Sequence, residues 1–279
     1  MSKITQALEK AARERLRRER AEEQPESAGA AAPRAPVAPP APALEQPIDG
    51  TPVASNIDPR IVTYFDRHSI IAEQYRMLRT NLQSMKSNQG FRTLMVTSAM
   101  HSEGKTVTSI NLALTLAQQP NCNVLLIDAD LRKGNVQRWL GLDAPFGLSE
   151  TLSNGHRPEE AVVKVEGSTL KILPAGKITS EPSDLLDSSK MREILQHFKR
   201  QFDYILVDAP PVLLVSDPSI ISRYVDGVLF VVRAGRTQRK QVLHAQAKLE
   251  QVRARTIGSI LTHAEYHSPF YYRYYRHYN

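Results

Sequence analysis

Six apolar runs, separated by amphipathic stretches, set the pattern of the chain from residue 60 onward. The runs are continuous in Val, Ile and Leu rather than alternating, which is typical of strands buried on both faces of a parallel sheet. The helical patterns between most of them predict an α/β fold with a mostly parallel, doubly wound sheet flanked by helices. The predicted strands are 93–98, 123–128, 169–173, 203–208, 227–232 and 256–262, and the predicted helices begin after Ser69 and lie around 105–119, 183–201 and 237–253.

The amino-acid composition before residue 60 differs from that of the domain. Residues 25–59 contain nine of the 18 prolines together with much alanine, a composition that buries too little apolar area to offset the entropy of ordering. We therefore predict a disordered Pro/Ala-rich linker there. Residues 1–24 are basic with a narrow apolar stripe, which predicts a helix that either docks on a partner or is simply solvated.

Charge and composition exclude several classes of protein. The net charge of the 279 residues is +7, but the first 20 residues supply seven basic and three acidic side chains, so the remainder carries only +3. No basic stripe interleaved with aromatic residues is present, so nucleic acid is not a predicted partner. The single cysteine, Cys122, excludes an internal disulfide, and the sequence shows neither a membrane-spanning run nor a signal peptide. These features predict a cytoplasmic protein.

The first predicted strand runs into a phosphate-binding turn. The sequence SAMHSEGKT follows the strand and leads directly into a helix, and a strand, a turn ending in Gly-Lys-Thr and a helix together predict a P-loop NTPase fold. Ala99 and Ser102 stand where glycines are common, and the alternative is that Gly-Lys-Thr only caps a helix. The residues predicted to bind the nucleotide are Ser102, Glu103, Gly104, Lys105, Thr106 and Val107.

Carboxylates end two further predicted strands. Asp128 and Asp130 follow the second strand and Asp208 follows the fourth. Parallel strands end at one edge of the sheet, where several buried carboxylates are costly unless a cation lies among them. We therefore predict Mg²⁺ held by Thr106, Asp130 and Asp208, with Lys105 reaching the β- and γ-phosphates of ATP.

These motifs resemble those of the bacterial tyrosine kinases of capsule and exopolysaccharide export. That family combines a phosphate loop with an Asp-x-Asp-x-Arg motif and an Asp-x-Pro-Pro motif, each after an apolar strand, here Asp128–Arg132 and Asp208–Pro211. The resemblance covers about residues 60–264 as the kinase domain and extends into the tail. It also implies a helix face that packs on a neighbouring subunit of a ring, formed here by Glu73, Arg76 and Arg79. Taken alone, that face fits a solvated helix with an i,i+3 ion pair equally well.

The C-terminal segment 265–279 is rich in tyrosine. Six of the ten tyrosines lie in the last 14 residues, and no helix or strand period hides them. The resemblance implies that this cluster is phosphorylated between subunits, whereas the alternative is stacking on a carbohydrate or a nucleic-acid base. The predicted phosphoacceptors are Tyr266, Tyr271, Tyr272, Tyr274, Tyr275 and Tyr278.

The resemblance implies an ATP- and Mg²⁺-dependent protein-tyrosine autokinase that regulates exopolysaccharide or capsule polymerisation and export. Asp128 would orient the incoming tyrosine hydroxyl and Arg132 would stabilise neighbouring charge, completing a catalytic set with Lys105, Asp130 and Asp208. The unphosphorylated protein would form a ring that dissociates on phosphorylation. A membrane polysaccharide co-polymerase would activate it at the inner face of the cell membrane, and the opening MSKITQALEKA resembles members linked to exosortase-type loci.

Two other functions use the same sheet and loop. A partition- or division-site-type ATPase is one, although such proteins usually carry an extra lysine near the start of the loop, where this chain has Ser98-Ala99-Met100. A nucleotide-binding scaffold with little catalysis is the other, suggested by the substituted loop glycines. Phosphotyrosine formation distinguishes the kinase from both.

Overall fold

A computed structural model describes residues 56–264 of the chain. The predicted N-terminal helix, most of the predicted linker and the tyrosine-rich tail lie outside the described residues. The helices are α1 Val62–Phe65, α2 Ile70–Gln89, α3 Lys105–Ala117, α4 Val136–Trp139, α5 Leu148–Asn154, α6 Pro182–Leu186, α7 Ser189–Lys199, α8 Asp217–Ile221 and α9 Arg239–Gln251. The strands are β1 Thr93–Ser98, β2 Val124–Asp128, β3 Val163–Lys164, β4 Lys171–Leu173, β5 Tyr204–Asp208, β6 Gly227–Arg233 and β7 Thr256–Thr262.

The seven strands form one sheet in the order β3-β4-β2-β5-β1-β6-β7. All neighbouring pairs are parallel except β3 and β4, which are antiparallel. The centre of the sheet is thus β2-β5-β1, and the carboxyl ends of these three strands meet at one edge. This confirms the predicted doubly wound, mostly parallel fold.

Both faces of the sheet are buried, as the continuous apolar runs predict. Alternate residues of the central strands belong to different apolar clusters: Met95 and Ile127 lie in one, and Leu94 and Leu126 in the other. Every residue of β1, β2 and β5 is buried. A strand covered on both sides has no polar face, which is why these runs do not alternate.

The helix before the sheet begins where the sequence predicts. Ser69 caps α2 by accepting a hydrogen bond from the Ala72 N–H at 3.2 Å, and Gly90 ends the helix in the left-handed conformation. The predicted helix 183–201 is instead two helices, α6 and α7, because Ser188 between them is extended.

Ile57, which the sequence places in the predicted linker, is buried in the domain core. In the described part of the chain, no helix is long and apolar enough to cross a membrane.

Candidate active site

The loop between β1 and α3 has the backbone of a phosphate-binding turn. Gly104, the residue before α3, has a φ of 94° and therefore needs the conformational freedom of glycine. Because glycine has no side chain to cap the helix, the first N–H groups of α3 have no side-chain partner at Gly104. Ser102 also has a positive φ, 62°, at the position where a glycine is common. Ser102 thus adopts a left-handed conformation, which costs less for glycine than for serine.

Strand register brings the predicted carboxylates to this loop. Asp128 and Asp208 are paired directly across β2 and β5, and β5 in turn pairs with β1, which leads into the loop. Asp130 follows Asp128 by two residues, and all three carboxylates are buried or nearly so. The carboxyl ends of neighbouring parallel strands therefore create a concentrated negative charge beside α3.

Lys105 lies among these carboxylates. Its Nζ is 3.3 Å from Asp130 Oδ2 and 3.6 Å from Asp208 Oδ2. Burial opposes the charge on Lys105, but Asp208, Asp130 and Asp128 together outweigh burial and raise the pKa of this ammonium group. In the structure, the lysine thus supplies the positive charge that three clustered acids require.

Asp208 is also held by hydroxyl groups of α3. Thr106 Oγ1 donates to Asp208 Oδ2 at 2.7 Å, and Ser109 Oγ donates to Asp208 Oδ1 at 2.9 Å. Burial raises the pKa of Asp208, while Lys105 and the two hydroxyl groups counteract part of that rise. Ser109 was not among the predicted site residues, although it lies one helical turn after Thr106 and helical spacing alone points to a shared face.

Asp128 holds the loop that follows β2. Its Oδ1 accepts the Asp130 N–H at 3.1 Å and its Oδ2 accepts the Val136 N–H at 3.0 Å. Burial, reinforced by the nearby Asp208 carboxylate, raises the pKa of Asp128 to about 7. A carboxyl group with that pKa is chemically suited to proton transfer near neutral pH.

The oxygen atoms of Thr106, Asp130 and Asp208 are a donor set that suits Mg²⁺. Among residues 56–264, no group of three or more His, Cys, Asp or Glu side chains forms a metal site by itself. Mg²⁺ is usually bound by one or two carboxylates together with water and substrate phosphates. The residues fit a cation that arrives with a nucleotide.

Arg132 is paired away from the carboxylate cluster. Its guanidinium group donates to both oxygens of Asp217, at 2.8 and 3.0 Å, and to Ser183 Oγ at 3.0 Å. Asp217, at the start of α8, is fully buried. The arginine therefore connects the loop after β2 to α6 and α8 rather than to the phosphate loop, and its predicted catalytic role stays a prediction.

The predicted subunit-contact residues lie along α2. Arg76 forms an ion pair with Glu73, with Nε and Oε2 2.6 Å apart, so the i,i+3 pair is present within the chain. Arg79 turns the other way and donates to the Thr115 carbonyl near the C-terminus of α3 at 3.0 Å. Only part of the predicted set is thus presented outward, and its role in assembly stays a prediction.

Comparisons with known proteins identify relatives of this chain. A family profile described as an AAA domain matches residues 92–249. Tyrosine-protein kinase YwqD of Bacillus subtilis is 33% identical over 218 residues, which cover 76% of this chain and 92% of that protein. The chain covers only 26% of some longer relatives, such as tyrosine-protein kinase etk of Escherichia coli, to which it is 33% identical.

Solved structures give the same result. The kinase domain of Escherichia coli tyrosine kinase ETK superposes with a TM-score of 0.69 at 29% identity, covering 75% of this chain and 83% of that chain. The septum site-determining protein MinD of Pyrococcus horikoshii, solved with Mg-ADP, has a TM-score of 0.53 at 24% identity and covers 61% of this chain and 69% of that chain. The likeness to MinD shows the fold alone. The chain belongs to the family of bacterial protein-tyrosine kinases.

Proposed function

We propose that this kinase transfers the γ-phosphoryl group of Mg-ATP to the C-terminal tyrosines of a neighbouring subunit, and that it thereby regulates the polymerisation and export of an exopolysaccharide or capsule. The observation that carries the proposal is the position of Lys105, in contact with Thr106 and within 3.6 Å of both Asp130 and Asp208. Phosphoryl transfer depends on positioning and charge neutralisation, which this group of residues provides.

Each residue of the cluster has a distinct task in the proposed reaction. Bound Mg-ATP supplies the phosphoryl group to be transferred. Lys105 would bind phosphate oxygens in place of its carboxylate partners, and Thr106, Asp130 and Asp208 would hold the metal through their oxygen atoms. Asp128, whose pKa is raised to about 7 by burial, accepts the proton of the tyrosine hydroxyl. Since the transition state is loose, this last contribution is the smallest.

The course of β7 supports the proposed acceptor. Thr262, the last residue of β7, donates from Oγ1 to the Glu103 carbonyl at 2.7 Å. Thr262 therefore lies beside the phosphate loop, at the same edge of the sheet as the carboxylates, and the tyrosine-rich segment follows it in the sequence. A tail of 14 residues spans up to about 45 Å when extended, which reaches the site of an adjacent subunit.

The proposed partners follow from the family resemblance. Glu73, Arg76 and Arg79 on α2 would contact the next subunit of a ring, and a membrane polysaccharide co-polymerase would activate the kinase. This would bring the enzyme to the inner face of the cell membrane. Glu73 and Arg76 pair with each other on one side of α2, with 32% and 28% of their side chains exposed, and a neighbouring subunit would contact that exposed part.

Autophosphorylation of the purified chain tests the proposal. Incubation with Mg-ATP is expected to give phosphotyrosine that mass spectrometry locates within residues 265–279. Lys105→Met removes the phosphate-neutralising charge and should lower the rate at least about 100-fold, a loss of about 3 kcal/mol of transition-state stabilisation. Circular dichroism of this variant checks that it is folded.

A chain in which all six tail tyrosines are replaced by phenylalanine is the matched control. It should accept no phosphate itself but should phosphorylate an added Lys105→Met chain, because the acceptors belong to the neighbouring subunit. Release of inorganic phosphate without phosphotyrosine would support the partition-type ATPase instead. Nucleotide binding with neither product would support the scaffold.

A further inference from the structure

Glu103 occupies an unusual place in the phosphate loop. Its neighbour Ser102 is exposed, yet only 2% of Glu103 is accessible to solvent. The carboxylate points back into the protein, where Oε2 accepts the Met100 N–H at 3.0 Å and Oε1 accepts the Thr237 hydroxyl at 2.5 Å. The side chain thus spans the loop from within instead of facing a nucleotide.

Three residues from the end of β6, the loop after it and the end of β7 hold the same loop. Besides Thr237, Thr262 Oγ1 donates to the Glu103 carbonyl at 2.7 Å, and an Arg233 N–H donates to the Ser102 carbonyl at 3.1 Å. The backbone N–H of Arg233 donates in turn to Thr237 Oγ1 at 3.1 Å, so the hydroxyl that binds Glu103 is itself oriented. The ends of β6 and β7 therefore hold the loop through a continuous set of hydrogen bonds.

The loop needs such support because of Ser102. Its φ of 62° lies in the left-handed region, which is unfavourable for a residue with a Cβ atom and cost-free for glycine. Strained conformations of this kind persist only where the surrounding structure determines them. The conformation of Ser102 is held by the hydrogen bond from Arg233 to the Ser102 carbonyl and by the hydrogen bonds of the Glu103 side chain.

We propose that Glu103 and Thr237 are positioning residues for nucleotide binding: their buried hydrogen bond holds the phosphate loop open around a left-handed Ser102 and so replaces the missing glycine. The inference rests on the proposed use of this loop for Mg-ATP. It assigns no contact with the nucleotide to either side chain. Both act through the backbone N–H groups of residues 102–106, which a collapsed loop would misdirect.

Isothermal titration of the full chain with Mg-ADP tests this role. Thr237→Val keeps the shape of the side chain but cannot donate to Glu103, and it should weaken Mg-ADP binding about 5- to 10-fold. Thr237→Ser keeps the hydroxyl and should bind within twofold of the unmodified chain. In autophosphorylation assays, Thr237→Val should raise KM for ATP by a similar factor and change kcat less than twofold, since the carboxylate cluster is untouched.

A glycine at position 102 provides the decisive variant. If Glu103 and Thr237 act by supporting the left-handed residue, Ser102→Gly in the Thr237→Val background should restore Mg-ADP affinity to within twofold of the unmodified chain. A purely structural loss would not be rescued in this way. Glu103→Ala should weaken binding at least as much as Thr237→Val, and the double variant of the two should be no weaker than Glu103→Ala alone.

The outcomes separate this inference from the proposed function. Unchanged Mg-ADP affinity in Thr237→Val, or no rescue by Ser102→Gly, would overturn the positioning role whatever the kinase assay shows. Mg-ADP binding that follows these expectations in a chain that makes no phosphotyrosine would support the positioning role and contradict the kinase proposal. An unmodified chain that does not bind Mg-ADP would overturn both.

Discussion

Asp226 precedes β6 at the edge of the sheet opposite the candidate site. Its carboxylate accepts the N–H groups of Arg92 and Thr93, each at 2.8 Å, and pairs with the Lys199 ammonium group at 2.8 Å. Burial by itself would raise the pKa of this carboxyl group, but these partners outweigh burial and lower it to about 2. The charged form is thus strongly preferred in the folded state, and the charge contributes to stability.

Replacing Asp226 with Asn should destabilise the fold by about 1–2 kcal/mol at pH 7. Because the folded pKa lies below the unfolded value of about 3.9, the contribution of the charge is complete above pH ~4 and disappears as the pH falls towards 2. Urea unfolding at several pH values measures the difference. Asp143→Asn, at an exposed position, is the control and should unfold like the unmodified chain. A constant difference between Asp226→Asn and the unmodified chain across pH 2–7 would contradict the assignment.

The sequence predicts some residues of the candidate site but not the residues that hold them in place. Lys105, Thr106, Asp128, Asp130 and Asp208 come together as predicted, because a turn signature and strand ends fix their positions once the sheet is parallel. The hydrogen-bond partners of Glu103 and Arg132 are not predicted from the sequence. Thr237 lies in a loop and Asp217 at the start of a short helix, and no local pattern connects them to Glu103 or Arg132.

At the scale of the elements, the loop between β2 and α4 approaches the loop after β4 very closely. A Cβ atom on Gly134 would lie 2.3 Å from the Cβ of Ala175 and 3.0 Å from Asp128 Oδ2. The backbone there does not have a positive φ, so the requirement for glycine is one of space. The two loops can pack beside Asp128 only because this side chain is absent.

Gly134→Ala should therefore destabilise the protein by about 1–3 kcal/mol and weaken Mg-ADP binding, since one of the loops carries Asp130. Thermal unfolding and nucleotide titration measure the two effects. Gly258→Ala is the matched control, because a Cβ atom on Gly258 in β7 meets nothing within 4 Å. Adding Ala175→Gly to Gly134→Ala should recover part of the stability by removing the nearer contact. Equal stability of the two single variants would contradict the steric explanation.

The Arg132–Asp217 pair connects the loop after β2, which carries Asp130, to the first residue of α8. Asp217 has a fully buried side chain, whereas 38% of the Arg132 side chain is exposed. Arg132→Met should destabilise the fold by about 2–3 kcal/mol, because it leaves a buried carboxylate without its charged partner. Urea unfolding measures the change.

The double variant Arg132→Met/Asp217→Asn tests why Arg132→Met destabilises the fold. The cause is either the loss of the ion pair or the unpaired charge that is left on buried Asp217. The double variant should be more stable than Arg132→Met alone, since the buried charge is gone. In the unmodified chain the Ser183 hydroxyl donates to Asp217 Oδ1 at 2.7 Å, and the amide oxygen of the Asp217→Asn side chain can still accept from it. A double variant that is less stable than either single variant would contradict this account.

The elements themselves are predictable where burial dictates the pattern. Strands β1, β2 and β5 follow the apolar runs because both faces are covered. Strand β3 has only two residues, one half-buried and one exposed, and this run is too short to be distinguished from the surrounding loop. Ser188 interrupts the predicted helix 183–201 without a proline or glycine, so tertiary packing decides that break.

At the scale of the whole molecule, phosphorylation of the tail should change assembly. Each phosphotyrosine adds a charge of about −1.5 to −2, so six of them add roughly −9 to −12. Arg273 and Arg276 are the basic residues within that tyrosine cluster. Repulsion between such tails should drive the subunits of the proposed ring apart.

Light scattering of the two forms measures this effect. The unphosphorylated chain is expected to self-associate, and the phosphorylated chain to have the mass of a monomer. Arg76→Glu, which reverses a charge on the outward side of α2, should also give a monomer without any phosphate. Equal mass for the phosphorylated and unphosphorylated forms would contradict the prediction.

The location of Lys105 affects how a kinase-dead allele of this gene should be chosen. Its ammonium group lies 3.3 Å from Asp130 and 3.6 Å from Asp208, so Lys105→Met should remove both the proposed phosphate contact and the counter-charge of these buried acids. A strain carrying such an allele would combine lost catalysis with reduced protein abundance, and its phenotype could not be attributed to either alone. Thr106→Ala keeps the Lys105 charge beside these acids and removes only one hydroxyl donor of Asp208, so it should reduce protein abundance less than Lys105→Met does.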